Sequence, residues 1–383
     1  MDSAASASLH LERLVAFPTV SSVSNLDLLD YVETVVAPYG ARVRRFANEA
    51  GDKANLLVSL GPQEPGGIIF SGHTDVVPTE GQSWTGDPWT LRKRDDRLVG
   101  RGATDMKGFL ACCLASLDGI LARPLSRPVH LAFSYDEEVG CTGVGSMARW
   151  IGESDLRPRL AVIGEATGMD MVSAHKGGLI GWTHVHGKPG HSSQPDRYVN
   201  AVMIAAELIS EINRIRAEMR DGPAFEGLDP PYSTIQVNQI KGGLHGNIVA
   251  EACSFFWEMR VVPGQSDAAV LERMQRHARS LEQTMKAIDP STGIEIAVQA
   301  QIPPLVPIED VALRTELLRL LDRSATRAVP YGTEAGIFQN AGVPSAVIGP
   351  GDIADAHQPD EGVDIDQLVQ CVGFLERLGD TCR

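Results

Sequence analysis

This 383-residue sequence has no surplus of base: Lys and Arg number 34 against 49 Asp and Glu, a formal net charge of −15. A nucleic acid or an anionic membrane would require a basic face, so neither partner is expected. No stretch approaches the roughly 18 apolar residues needed to span a bilayer. The opening residues Met1-Asp2-Ser3-Ala4 show no basic segment followed by an apolar one, so no secretory signal is expected. Cysteine is scarce. The six present, with Cys112 and Cys113 adjacent, form neither a disulfide framework nor a Cys-x-x-Cys pair. Reduced thiols and a cytoplasmic setting are the expectation. Repeats and low-complexity tracts are also missing.

What remains is ordinary globular material, 43% hydrophobic and 22% charged, long enough for two or three domains. Short aliphatic runs at 54–60, 67–70, 129–135 and 160–164 read as buried strands, and helical spacing fills 107–121 and 141–151. This alternation predicts an α/β fold, a mixed sheet flanked by helices, with its site at the carboxyl ends of the strands. The middle changes character. Strand-like 179–187, an amphipathic helix over 201–220, strands at 232–240 and 252–262, a helix over 268–288 and a strand at 293–300 make a β-α-β-β-α-β unit, the ferredoxin-like pattern. Helix and strand character resumes at 310–323, 334–341, 343–348 and 365–378. The expected plan is a first domain of 1–176 and 300–383, interrupted by an α+β domain of 177–299.

Five short segments set acids and histidines where strands should end. In Phe70-Ser71-Gly72-His73-Thr74-Asp75, positions i and i+2 share a face, so Asp75 can orient a metal-bound His73. A solvated loop pair is the plainer reading. In Gly100-Arg101-Gly102-Ala103-Thr104-Asp105, the acid either caps the helix that follows or offers one oxygen to each of two metals. Asp136-Glu137-Glu138 crowds three acids after a strand, which a cation would compensate; one can bind it while its neighbour serves as general base. Glu165 follows a fourth strand, and His357 lies in a turn-rich stretch after Gly349-Pro350-Gly351. Singly, each has an ordinary explanation at a helix start or in a loop. Together, two histidines and three carboxylates are the donors expected of paired Zn²⁺, and cobalt or manganese suits the same donors. His184 and His186, alternating on a strand, are expected on the outer face of the inserted sheet.

The order His73-x-Asp75, Asp105, Glu137-Glu138, Glu165, His357 resembles the M20 family of metallopeptidases and amidohydrolases over nearly the whole chain. The wording of 71–78, 100–108, 134–141, His175-Lys176-Gly177, Gly190-His191-Ser192-Ser193 and Tyr331-Gly332-Thr333-Glu334-Ala335-Gly336 is nearest to its members that deacetylate acetylornithine. The resemblance implies a zinc-exopeptidase-like catalytic domain with an inserted lid and dimerisation domain, and hydrolysis of a small N-acyl amino acid, N2-acetyl-L-ornithine first among them. Desuccinylation of succinyl-diaminopimelate, or aminoacylase or carboxypeptidase activity, is the alternative within the family; a non-catalytic metal-binding protein is the remote one. It further implies that His73 and Glu165 hold one zinc, Glu138 and His357 the other, and Asp105 bridges them. Asp75 would orient His73, and Glu137 would act as base and then acid. His191 would reach the partner's site in a homodimer and steady the oxyanion. Asn247 and Arg260 would contact substrate, as would Thr333 and Glu334; for Glu334, pairing with a side-chain ammonium competes with a simple helix-start role. The chain departs from the family in having Ala166 and Ala250 where proline is frequent, which alters no ligand but bears on loop geometry.

Overall fold

The computed structural model describes residues 3–383. They fall into two compact units. One comprises the chain up to Ala174 together with Leu305–Ala328 and Thr333–Arg383; the other is His175–Pro304 with Val329–Gly332.

An eight-stranded mixed sheet organises the first. Its order is Arg42–Ala47, Ala54–Leu60, Val129–Ser134, Ile68–His73, Leu160–Ile163, Ser345–Val347, Val172–His175, Arg327–Val329. The four strands from Val129–Ser134 to Ser345–Val347 run parallel. All four are buried throughout, which is why their sequences read as continuous aliphatic runs without alternation. The helix Lys107–Ala115 is apolar on every side because it is enclosed by Ser3–Val15, Ile365–Asp380 and the strand Ile68–His73. The expected single helix over 107–121 is broken: Ser116 separates Lys107–Ala115 from Leu117–Leu121, and its hydroxyl bonds back to Cys113 O. The helix expected over 141–151 begins later and spans Gly145–Glu153.

Chain direction fixes where a site can form. After Ile68–His73 the chain goes to the neighbouring strand on one side, Val129–Ser134. It then crosses to the other side as Leu160–Ile163. A crevice opens at the carboxyl ends where such a reversal occurs. A small three-stranded sheet, Arg92–Arg94, Arg97–Val99 and Gly362–Asp364, ties the segment before Asp105 to the segment after His357.

The second unit has the order Gly177–His186, Ala201–Arg220, Thr234–Gly242, Ala252–Val261, Asp267–Ile288, Gly293–Ile302, the expected β-α-β-β-α-β unit. Its antiparallel sheet has Ala252–Val261 and Gly177–His186 at the centre. Asn200 caps the first helix, its side chain accepting from the N–H groups of Val202 and Met203. Leu179 and Val185 face the helices in a separate core, while His184 takes the outer face, bonded to Ser254 and stacked on Trp182, and His186 is exposed. Among the described residues, no helix is long and apolar enough to cross a membrane.

Candidate metal centre

Each of the five candidate ligands arrives on a strand end or a loop. His73 ends its strand opposite Ser134, so Asp136, Glu137 and Glu138 emerge beside it. Ser71 pairs with Ile163 on the other flank, which brings Glu165 to the same crevice. Glu165 follows Gly164, where a side chain would clash: a Cβ there would lie 1.9 Å from Phe109 Cγ. No helix starts at Glu165, and Asp105 caps none, since the position before Lys107–Ala115 is Met106 and receives no side-chain cap. The Asp105–Met106 peptide is cis. Both structural alternatives for these acids are thereby removed.

Asp105 stands between the two histidines. Its Oδ1 is 3.0 Å from His73 Nε2, and its Oδ2 is 3.3 Å from His357 Nε2. Glu165 Oε1 lies 3.5 Å from His73 Nε2, and Glu138 Oε2 lies 3.0 Å from His357 Nε2. Two trios, His73 with Asp105 and Glu165 and His357 with Asp105 and Glu138, therefore share one carboxylate. Donor atoms of His73, Asp105 and Glu138 lie within 4.8 Å of one another, as do those of His73, Glu137 and Glu165. Glu165 Oε1 and Glu138 Oε1 are buried without a hydrogen-bond partner, a costly state for carboxylate oxygens unless a cation takes them. These orphaned oxygens and the mixed nitrogen and oxygen donors fit a pair of divalent ions.

Electrostatics says the same. Removal from water, then the charge of Asp105, raises Glu138 to about 7 and pushes Glu165 well above the usual carboxylate range. Glu137 rises to about 8, through desolvation and the nearby charges of Glu138, Asp105 and Glu334, against the pull of His73. Burial would raise Asp105 too, but its bonds to His357 and His73 hold it below the ordinary value. His357 is lifted to about 10 by Asp105 and Glu138. For His73, burial alone would lower the value, yet Asp105 and Asp75 keep it well above the ordinary one. Protonated histidines thus supply the positive charge that so many acids require.

Asp75 differs from expectation in how it acts. His73 Nδ1 donates to the Asp75 backbone carbonyl at 2.9 Å, while the carboxylate stands 3.6 Å away. That carboxylate instead accepts from the N–H groups of Glu137 and Glu138 and from the Ser21 hydroxyl. It shapes the acid loop, and the carbonyl sets the histidine tautomer. Of the three consecutive acids, Asp136 is drawn aside by Lys53 at 2.7 Å. Cys141 Sγ lies 3.2 Å from Glu137 Oε1. Glu334 is buried near Ser134, His73 and Asp75 and is raised to about 7 by burial; both its oxygens are sealed from water. It sits at the head of Ala335–Asn340 without capping it. Thr333, also buried, accepts from Ala335 N–H. Sequence reasoning missed Glu361, Arg101 and Lys107, all buried beside these loops; nothing in their local wording distinguishes them from loop and helix-start charges.

His191, Asn247 and Arg260 belong to the second unit. The first two are neighbours, through a bridge between His191 and Ile248 and the bond from Ser192 N–H to Asn247 O. His191 Nδ1 lies 2.8 Å from the Ser193 hydroxyl and accepts from Ser193 N–H. Arg260 pairs with Glu258 on the strand Ala252–Val261.

Comparison with known proteins identifies the family. The chain is 34% identical over 378 residues to an acetylornithine deacetylase of Myxococcus xanthus, covering 96% of this chain and 95% of that one. Among solved structures, an M20 family metallo-carboxypeptidase from Sulfolobus solfataricus superposes with a TM-score of 0.75 at 18% identity, over 97% and 98% of the two chains. A dinuclear metal-binding M20 peptidase of Bacillus subtilis does so at 0.66 and 13%, over 98% and 97%. The profile of peptidase family M20/M25/M40 matches residues 69–380, a span holding all five candidate ligands, and the chain belongs to that family of metal-dependent hydrolases.

Proposed function

We propose that the protein hydrolyses N2-acetyl-L-ornithine to L-ornithine and acetate. One observation carries the catalytic part: the two oxygens of Asp105 face different histidines, each histidine with its own glutamate. His73 and Glu165 would hold one zinc, His357 and Glu138 the other, and Asp105 would bridge. Ions held by these residues would supply Lewis acidity toward the amide carbonyl and toward a water molecule near neutral pH.

The remaining work falls to the chain. Glu137 takes a proton from the attacking water and hands it to the departing amine. The Cys141 thiol donates to Glu137 Oε1, leaving Oε2 to carry that proton. Asp75 fixes the backbone from which Glu137 projects. His191, supplied by a neighbouring subunit of a homodimer formed through the second unit, would steady the oxyanion. Asn247 and Arg260 would hold the substrate, the arginine through its carboxylate; Thr333 would line the site. Glu334 would read the substrate ammonium once an opening of the site exposes its oxygens.

The relative named acetylornithine deacetylase supports the ornithine reading; on that reading the enzyme would serve arginine biosynthesis in the cytoplasm. It is tested by comparing kcat/KM for N2-acetyl-L-ornithine, N-succinyl-diaminopimelate and an unblocked dipeptide, with zinc present. The acetyl substrate should be turned over best. Preference for the succinyl compound or the dipeptide would keep the two-metal site and replace the substrate. Zinc uptake without turnover of any of them would favour a binding protein.

A further inference from the structure

One buried carboxylate next to the metal ligands has no part in the chemistry above. Glu361 is 1% exposed. Its Oε1 accepts from the backbone N–H groups of Thr104 and Asp105, both at 2.9 Å. Its Oε2 accepts from Gly102 N–H at 3.1 Å and from Arg101 Nη1 at 2.7 Å. Four donors converge on it, three of them backbone groups of the loop that ends in Asp105. Successive N–H groups turned inward in this way form an anion nest, and here the anion is a side chain of the same protein.

The clamp also reaches His357. Arg101, itself 1% exposed, donates through Nη2 to Gln82 Oε1, and Gln82 Nε2 donates to the His357 carbonyl at 2.8 Å. Gly100 N–H bonds to Glu361 O, and Thr104 Oγ1 bonds to Gly362 O. His357 has a φ of +63°, a left-handed backbone that a residue with a side chain holds only when its surroundings impose it. The loop carrying Asp105 and the loop carrying His357 are thus fastened to the same buried acid.

We propose that Glu361 is a positioning residue of the metal site, holding Asp105 with one oxygen toward each histidine by clamping the backbone of 102–105. The proposal rests on the two-metal reading above. It distinguishes Glu361 from a buried ion-pair acid that merely holds two loops together, because it ties the residue to how the protein receives metal.

The test compares wild type with Glu361→Gln. Glutamine has nearly the same shape and can still accept from Thr104 and Asp105, but its NH₂ then meets Gly102 N–H and Arg101. Metal-free proteins are titrated with Co²⁺ at 25 °C, following heat and the visible absorption of the bound ion, after circular dichroism has shown them folded. Glu361→Gln should bind at least one of two ions about 10–100-fold more weakly, the usual effect of losing a group that orients a ligand, with altered absorption bands. Glu361→Asp keeps the charge but retracts it by one methylene, and should fall between Gln and wild type; it decides the matter if Gln prevents folding. Wild-type affinities and spectra in these variants, with only a lowered melting temperature, would overturn the proposal. Wild-type protein that fails to take up two ions would overturn the two-metal reading instead, and this inference with it.

Discussion

Asp105 shows how the site is specified at the level of single side chains. A carboxylate with a histidine at each oxygen is held ionised by them, while Glu137, Glu138 and Glu165, facing it, are pushed upward. Like charges packed this closely cannot all ionise without a compensating cation. Glu137 alone has two plausible duties, since its oxygens fall within reach of His73 and Glu165 while its neighbour Glu138 already faces His357. Glu137→Gln separates them. As general base, its loss should lower kcat about 10²–10⁴-fold while two metal ions still bind. Loss of one ion would make Glu137 a ligand, and near wild-type turnover would remove it from the mechanism.

At the level of elements, the site depends on a helix that supplies none of the candidate ligands. Lys107–Ala115 presses Phe109 against Gly164, the residue before Glu165, and a methyl group there has nowhere to go. Gly164→Ala should therefore destabilise the fold by about 1–3 kcal/mol or more, read as a lowered urea midpoint, and should weaken metal binding by displacing Glu165. An unchanged midpoint would mean that Phe109 moves freely, and the close packing inferred here would be wrong. The parallel strands are legible in the sequence because burial on both faces leaves continuous aliphatic runs, and the second unit because its helices keep a 3.6-residue period. The three-residue strands Arg92–Arg94, Arg97–Val99 and Gly362–Asp364 carry too few residues for any period to show. His73, Asp105, Glu138, Glu165 and His357 are legible as candidates because acids placed just beyond buried strands have little structural reason to be there. Glu361 is not, since Asp360-Glu361-Gly362 reads as a polar turn and its donors lie more than 250 residues earlier. Nor does the sequence tell that Asp75 bonds His73 by its carbonyl and reserves its carboxylate for the acid loop.

Across the whole molecule, each unit has its own apolar core, and the five candidate ligands all lie in the first. Metal-free, that unit stores protons: His357 is raised to about 10, Glu137 to about 8, Glu138 to about 7, and His73 stands well above its ordinary value. Ligation requires neutral imidazoles and ionised carboxylates, so binding expels the protons held by the ligands, and affinity must rise with pH up to about 10, where His357 loses its proton unaided. The most direct measurement is a calorimetric titration of metal-free protein with Zn²⁺ at pH 7, in buffers of differing ionisation enthalpy. Two ions per chain with a net release of protons is the predicted result, with hydrolysis of acetylornithine appearing as the ions bind. A single ion, or uptake with no proton released, would contradict the two-metal centre built on Asp105.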